Sequence, residues 1–181
     1  TPEQMRNKQS GYYKNQFPAE CIKLTAKIDV HPSILYFAIE AHEQRFTSYI
    51  INYGSFPDQG RRYFSHANLA KRLQHLFQGY DDDATVEAAL RALIEGDTSL
   101  GWAGLCQREW IRSDGVPMKL NALDIDASGT ASDAVKKYIR QSPFAGIIYP
   151  SFGRGITATQ MPLSQWQQSR GKSEGPEWVR T

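Results

Sequence analysis

Residues 22–31, Ile-Lys-Leu-Thr-Ala-Lys-Ile-Asp-Val-His, alternate apolar and polar side chains without a break. An extended chain turns successive side chains to opposite faces, so Leu24, Ala26 and Ile28 share one face and Thr25, Lys27 and Asp29 the other. That period excludes an amphipathic helix and demands a half-buried strand with neighbours. Pro32-Ser33 ends the run, and two further β-branched and aromatic stretches follow, Ile34 to Glu40 and Arg45 to Tyr53. Connections this short pair neighbouring strands antiparallel, so the chain opens as a three-stranded meander.

The period then changes. Gly54-Ser-Phe-Pro-Asp-Gln-Gly is a turn-rich exit from the sheet. From Asn68 to Phe77, Leu69, Leu73, Leu76 and Phe77 fall on one helical face, with Gly79 as the stop. Asp81-Asp-Asp offers N-caps to a second helix carrying Val86, Ala89, Leu90, Leu93 and Ile94. The three acids lack the spacing of a calcium loop, so capping is their reading. Leu100 to Ile111 reads as another helix, or a helix passing into a strand, and Ser113-Asp-Gly-Val-Pro as a turn. Met118 to Asp126 is a strand, a helix follows with Ala134, Val135, Tyr138 and Ile139 inward, and Gly146-Ile-Ile-Tyr is a short buried strand.

A strand–helix–strand unit over 118–149 is parallel with a right-handed crossover. Added to the meander, it gives a mixed sheet of five strands or more with helices on both faces, the RNase H-like arrangement. There the first and fourth strands are parallel neighbours, which brings the ends of those strands, Asp29 and Asp126, side by side. Asp124 shares a face with Asp126. Neighbouring carboxylates repel one another, and a divalent cation relieves the repulsion; hard oxygen ligands suit Mg²⁺ or Mn²⁺. Two such ions about 4 Å apart can clamp the attacking and leaving oxygens of a phosphodiester. The alternative is that both acids only end their strands and cap the turns that follow. Asp124 could equally be a ligand, a supporting group or a solvated charge.

Of the 181 residues, 21 are Lys or Arg and 19 Asp or Glu, a net charge of +2 that gives no overall basic excess for a nucleic-acid partner. The charge is uneven: residues 151–181 carry +2, residues 1–20 carry +1 and the middle −1. Acids gathered at a metal site would mask a basic rim. The loop-rich segment from about 151 is either a solvated end beside a compact domain near residues 21 to 150 or a basic region that meets phosphate. In the second reading Arg154 and Lys172 are DNA contacts, with Trp166 and Arg170 on the same surface. Arg61-Arg-Tyr-Phe combines charge with aromatic faces, so Arg61 and Arg62 either bind DNA or belong to a loop leading into a helix. His31 lies two residues after Asp29; it contacts metal or phosphate, or is simply hydrogen-bonded. Two cysteines, Cys21 and Cys106, form neither a metal pattern nor a disulfide framework. No apolar run reaches the ~18 residues of a membrane span, and the start has no signal-peptide stretch, so an intracellular domain is expected.

Several segments resemble the nuclease domain of tailed-bacteriophage large terminases. Leu24-Thr-Ala-Lys-Ile-Asp-Val-His is similar to its first strand, and Tyr49-Ile-Ile-Asn-Tyr-Gly-Ser-Phe-Pro-Asp-Gln to its third strand and exit loop. Ala122-Leu-Asp-Ile-Asp-Ala-Ser-Gly-Thr resembles its second acidic strand, followed by a helix with the pair Ala134-Val135. Tyr149-Pro-Ser-Phe-Gly-Arg-Gly resembles the glycine-rich segment after it. The resemblance implies a metal-dependent endonuclease that cuts concatemeric double-stranded DNA during packaging in the cytoplasm of a bacterial host. It places Asp29 at the first metal-binding aspartate and Asp126 at the second, with Asp124 as the alternative two residues away. Such domains usually add a third acid; Asp133, Glu174 and Glu177 are the later acids here, and none sits in a matching motif. Implied partners are an ATPase domain of the same protein, the small terminase subunit and the portal. No GxxxxGK[ST] loop occurs, so the ATPase domain is expected before Thr1, with residues 1–20 as linker and 21–181 as nuclease domain. Two other readings stand beside this: a non-catalytic RNase H-like module binding DNA or a packaging partner, and, from Gly146-Ile-Ile-Tyr-Pro-Ser, an NAD-processing toxin domain.

Overall fold

The computed structural model describes residues 11–45, 47–61 and 63–153, with the backbone of 173–174 and 179–180. β1 (Lys23–His31), β2 (Ile34–His42) and β3 (Ser48–Phe56) form the expected meander, and β4 (Trp110–Ile111) and β5 (Pro117–Met118) a separate small hairpin. β6 (Ala122–Asp126) and β7 (Ile148–Ser151) complete a five-stranded sheet in the order β3-β2-β1-β6-β7. Both β1–β6 and β6–β7 are parallel. This is the RNase H-like architecture. A further pair, β8 (Ser173–Glu174) and β9 (Val179–Arg180), is antiparallel.

Alternation in the strands decides which face is buried. Leu24, Ala26 and Ile28 of β1, Leu35, Phe37 and Ile39 of β2, and Leu123 and Ile125 of β6 enter one continuous core. Helices α2 (Asp82–Glu95) and α3 (Ser132–Gln141) cover that face, contributing Val86, Leu90, Leu93, Val135 and Tyr138. Each such side chain adds about 1.5–3 kcal/mol of hydrophobic stabilisation. Lys137 of α3 reaches Glu87 of α2 at 2.7 Å across the helix pair. Phe17 is fully buried in the same core, and its carbonyl accepts the Ser113 N–H.

Helices were expected on both faces, yet among the described residues both long helices lie on one. On the opposite face Thr25, Asp29, Tyr36, Ala38, Glu40 and Asp124 remain half-exposed and Lys27 and Tyr53 exposed. Two other expectations are corrected. The single helix over 68–77 is a 3₁₀ turn (His66–Asn68) and a four-residue helix, α1 (Leu73–Leu76). Buried Gln59 explains the interruption: its Oε1 accepts the N–H groups of Ala70 and Lys71, while its Nε2 donates to the carbonyls of Lys71 and Pro57. Backbone donors that helix would use are thereby satisfied from outside. The stretch 100–111 is also not helical. Leu105 and Cys106 donate their N–H groups to the carbonyls of Leu93 and Ile94, closing the last turn of α2.

Candidate metal centre and nucleic-acid interface

β1 and β6 are held in parallel register from Thr25 opposite Ala122 to Ile28 opposite Ile125. One step further along both strands brings Asp29 level with Asp126. The core residues Ile28 and Ile125 fix the neighbouring positions to the uncovered face, so two acids separated by almost a hundred residues meet at one sheet end. Asp29 also stands opposite Tyr36 of β2, and Asp126 opposite Ser151 of β7.

Asp126 is locally pinned. Its Oδ1 accepts the Ser128 hydroxyl at 2.6 Å and the Ser128 N–H at 2.9 Å, so Asp-Ala-Ser forms a tight turn directly after the strand. The Ser128 hydroxyl is the main reason that the Asp126 carboxyl is held below the usual carboxylate range; partial burial opposes it, and the Ser128 N–H, Lys27 and His31 assist. Asp126 is therefore an anion at neutral pH. The Asp29 side chain is half exposed, and its Oδ2 lies 3.3 Å from His31 Nε2. Asp124 falls opposite Lys27 in the register, 3.8 Å from its Nζ. The face thus carries a strip of acids with Lys27 and His31 set among them.

A loop that sequence periodicity did not connect with the acids folds over the β1–β2 end. The rings of His31 and His66 approach to 4.2 Å between centroids, Tyr36 packs edge-on to both, and Phe64 stacks parallel to Tyr36 at 6.0 Å. The sequence signalled Phe64 through the Arg-Arg-Tyr-Phe run and His31 through its place two residues after Asp29, but gave no sign that the two would share one cluster. Arg61 donates to the Asn68 carbonyl, which fixes it as part of this loop. Phe152 lies just past β7, 56% exposed and 5.7 Å from Lys136 Nζ of α3, a helix on the covered side of the sheet. Arg62, Arg154 and Lys172, with Trp166 and Arg170, lie outside the described residues.

The donor chemistry of Asp29 and Asp126, hard carboxylate oxygens beside a histidine, fits a divalent cation. Among the described residues, no group of three or more His, Cys, Asp or Glu side chains converges to hold a metal ion. Two concavities of about 410 and 430 Å³ lie along α2 and the turn after it, sharing Gly96 and Asp97, and neither is lined by Asp29 or Asp126. Among the described residues both acids are half-exposed on the sheet face, a setting that suits a polymer better than an enclosed small molecule.

The five-stranded sheet, with Asp29 and Asp126 level on the face its long helices leave free among the described residues, has an RNase H-like architecture. The family model for the endonuclease domain of the terminase large subunit gpA matches residues 1–177, and the chain belongs to that family. Membership supports a nuclease role in phage DNA packaging, with DNA as substrate; nuclease domains of this family typically use divalent metals. Searches of curated proteins and of solved structures each gave no match. Among the described residues no helix is long and apolar enough to cross a membrane.

Proposed function

We propose that the chain is a metal-dependent endodeoxyribonuclease whose centre is Asp29 and Asp126, acting on concatemeric double-stranded DNA in the host cytoplasm. The observation that carries this is the parallel β1–β6 register, which sets the two aspartates level on an open face. They would hold Mg²⁺ or Mn²⁺, singly or as a pair; the bound ion supplies activation of water and stabilisation of charge on the phosphodiester. Ser128 keeps Asp126 ionised and oriented. His31 orients Asp29 from the adjacent face position. Asp124 supports the charge balance through Lys27 rather than facing the ion alone. Arg61, Arg62, Arg154 and Lys172 contact the DNA backbone, and the ATPase domain, small terminase subunit and portal are partners of the whole protein.

Nicking of supercoiled plasmid in Mn²⁺ tests the assignment. Asp29→Ala and Asp126→Ala are each expected to lower the rate by about 100-fold or more, the size of effect seen when a main electrostatic contributor is removed. Nicking that survives both substitutions overturns it. The lack of a third converging acid among the described residues favours one other reading, a DNA- or partner-binding module without catalysis. Calorimetry with MnCl₂ separates the two, since that module would show no heat of binding that Asp29→Ala removes. The NAD-processing reading has no such support: Ile148 to Ser151 of its motif forms edge strand β7.

A further inference from the structure

We infer that the site engages DNA as a locally unpaired strand, its bases stacking on aromatic rings that flank the two aspartates; this rests on the nuclease reading above. The rings lie on both sides of the acids. On the β2 side, Tyr36 stands opposite Asp29, Phe64 stacks on Tyr36, and Tyr63 beside it is 88% exposed. On the β7 side, Tyr149 is opposite Asp124 and 44% exposed. An intact duplex hides the faces of its bases, so rings beside a backbone-cutting centre have no stacking partner in it. An unpaired strand presents both a phosphate for the acids and π-faces for the rings.

Charge complements the rings. Lys23 and Lys27 project from the same face of β1 as Asp29, a cation every fourth residue leading up to the acids. At about 3.3 Å per residue they are roughly 13 Å apart, a span suited to an extended strand's backbone rather than to one point contact. The face is open among the described residues, continuous with the candidate centre, and has the mixed lysine and aromatic character of single-strand platforms.

The test is binding without metal, which separates it from the cleavage assay. A 12-nucleotide single strand carrying 2-aminopurine, and its duplex, are titrated with the full 181-residue chain in EDTA. The single strand is expected to bind at least about tenfold more tightly than the duplex, with quenching of 2-aminopurine that reports ring stacking. Tyr63→Ala is expected to weaken single-strand binding and quenching about fivefold or more while leaving duplex affinity unchanged. For Phe64, whose ring also packs on Tyr36, Phe64→Leu is expected to lose quenching and Phe64→Trp to restore it, with thermal melts confirming that both fold. Equal affinity for the two forms, or quenching that survives Tyr63→Ala and Phe64→Leu together, overturns the inference. Asp29→Ala and Asp126→Ala abolish nicking under the nuclease reading but leave this quenching in place, so failure of either reading is recognised separately.

Discussion

Gly104 shows how one residue controls a junction. A Cβ there would lie 2.3 Å from the Glu95 carbonyl carbon, 2.4 Å from the Gly96 nitrogen and 2.5 Å from the Ile94 carbonyl oxygen, all backbone atoms that cannot rotate away. Gly104→Ala is expected to destabilise the domain by about 3 kcal/mol or more, read as a fall in denaturation midpoint, because the chain must withdraw from the end of α2. Arg112 and Asp114 make a different kind of contact. Two parallel bonds of 2.8 and 2.7 Å join them, and Arg112 Nη1 also donates to the Cys21 carbonyl, tying the hairpin to the start of β1. The Arg112 hydrogen bonds are the leading cause that holds the Asp114 carboxyl below its ordinary value. A depressed carboxyl stabilises the fold above its unfolded value, near 3.8, and loses that contribution as pH falls through the lower folded value. Denaturation at pH 7, 5 and 3 is therefore expected to show Asp114→Asn less stable than the parent at the two higher values, with the gap closing at pH 3. Asp29 and Asp126 could be paired from the order of strands alone. His66 and Phe64 could not, because rings meeting across thirty residues leave no period in the chain.

Elements held by their own sequence were readable, and those held by neighbours were not. The three meander strands, α2 with its Asp81 cap, whose side chain accepts the Ala84 N–H, and α3 all follow from alternation, periodicity and caps. The interrupted helix over 66–76 follows from a residue outside it. Gln59→Ala removes an acceptor from two backbone donors and a donor from two carbonyls, and is expected to cost about 1–3 kcal/mol. Since the same side chain anchors the loop bearing Tyr63 and Phe64, this substitution is also expected to reduce 2-aminopurine quenching, measured beside the melt. The 100–111 stretch carries the strand end of its expected form, Trp110–Ile111, but no helix, for the same kind of reason. Its N–H groups are satisfied by the end of a helix ten residues earlier, a partner that no local pattern announces.

At the scale of the whole molecule, one core joins the sheet, both long helices and the segment before β1. Phe17, fully buried, belongs to that core although its surroundings in the sequence are polar. Phe17→Ala is expected to lower the stability of the entire domain by about 3–4 kcal/mol, seen as a shift of a single cooperative transition followed by circular dichroism. The five-stranded order and its parallel pairs were legible because strand, helix and strand in succession allow few topologies. That no long helix among the described residues covers the second face was not legible, because half-exposed alternation reads the same whether a helix or a ligand covers it. The parallel pairing of β1 with β6 also sets a schedule during synthesis. A nascent chain that has reached residue 100 can fold its meander, yet carries Asp29 without Asp126. The two carboxylates come together only after β6 has left the ribosome and docked, so on the assignment proposed above a half-made chain lacks the pair of acids that would cut the DNA around it.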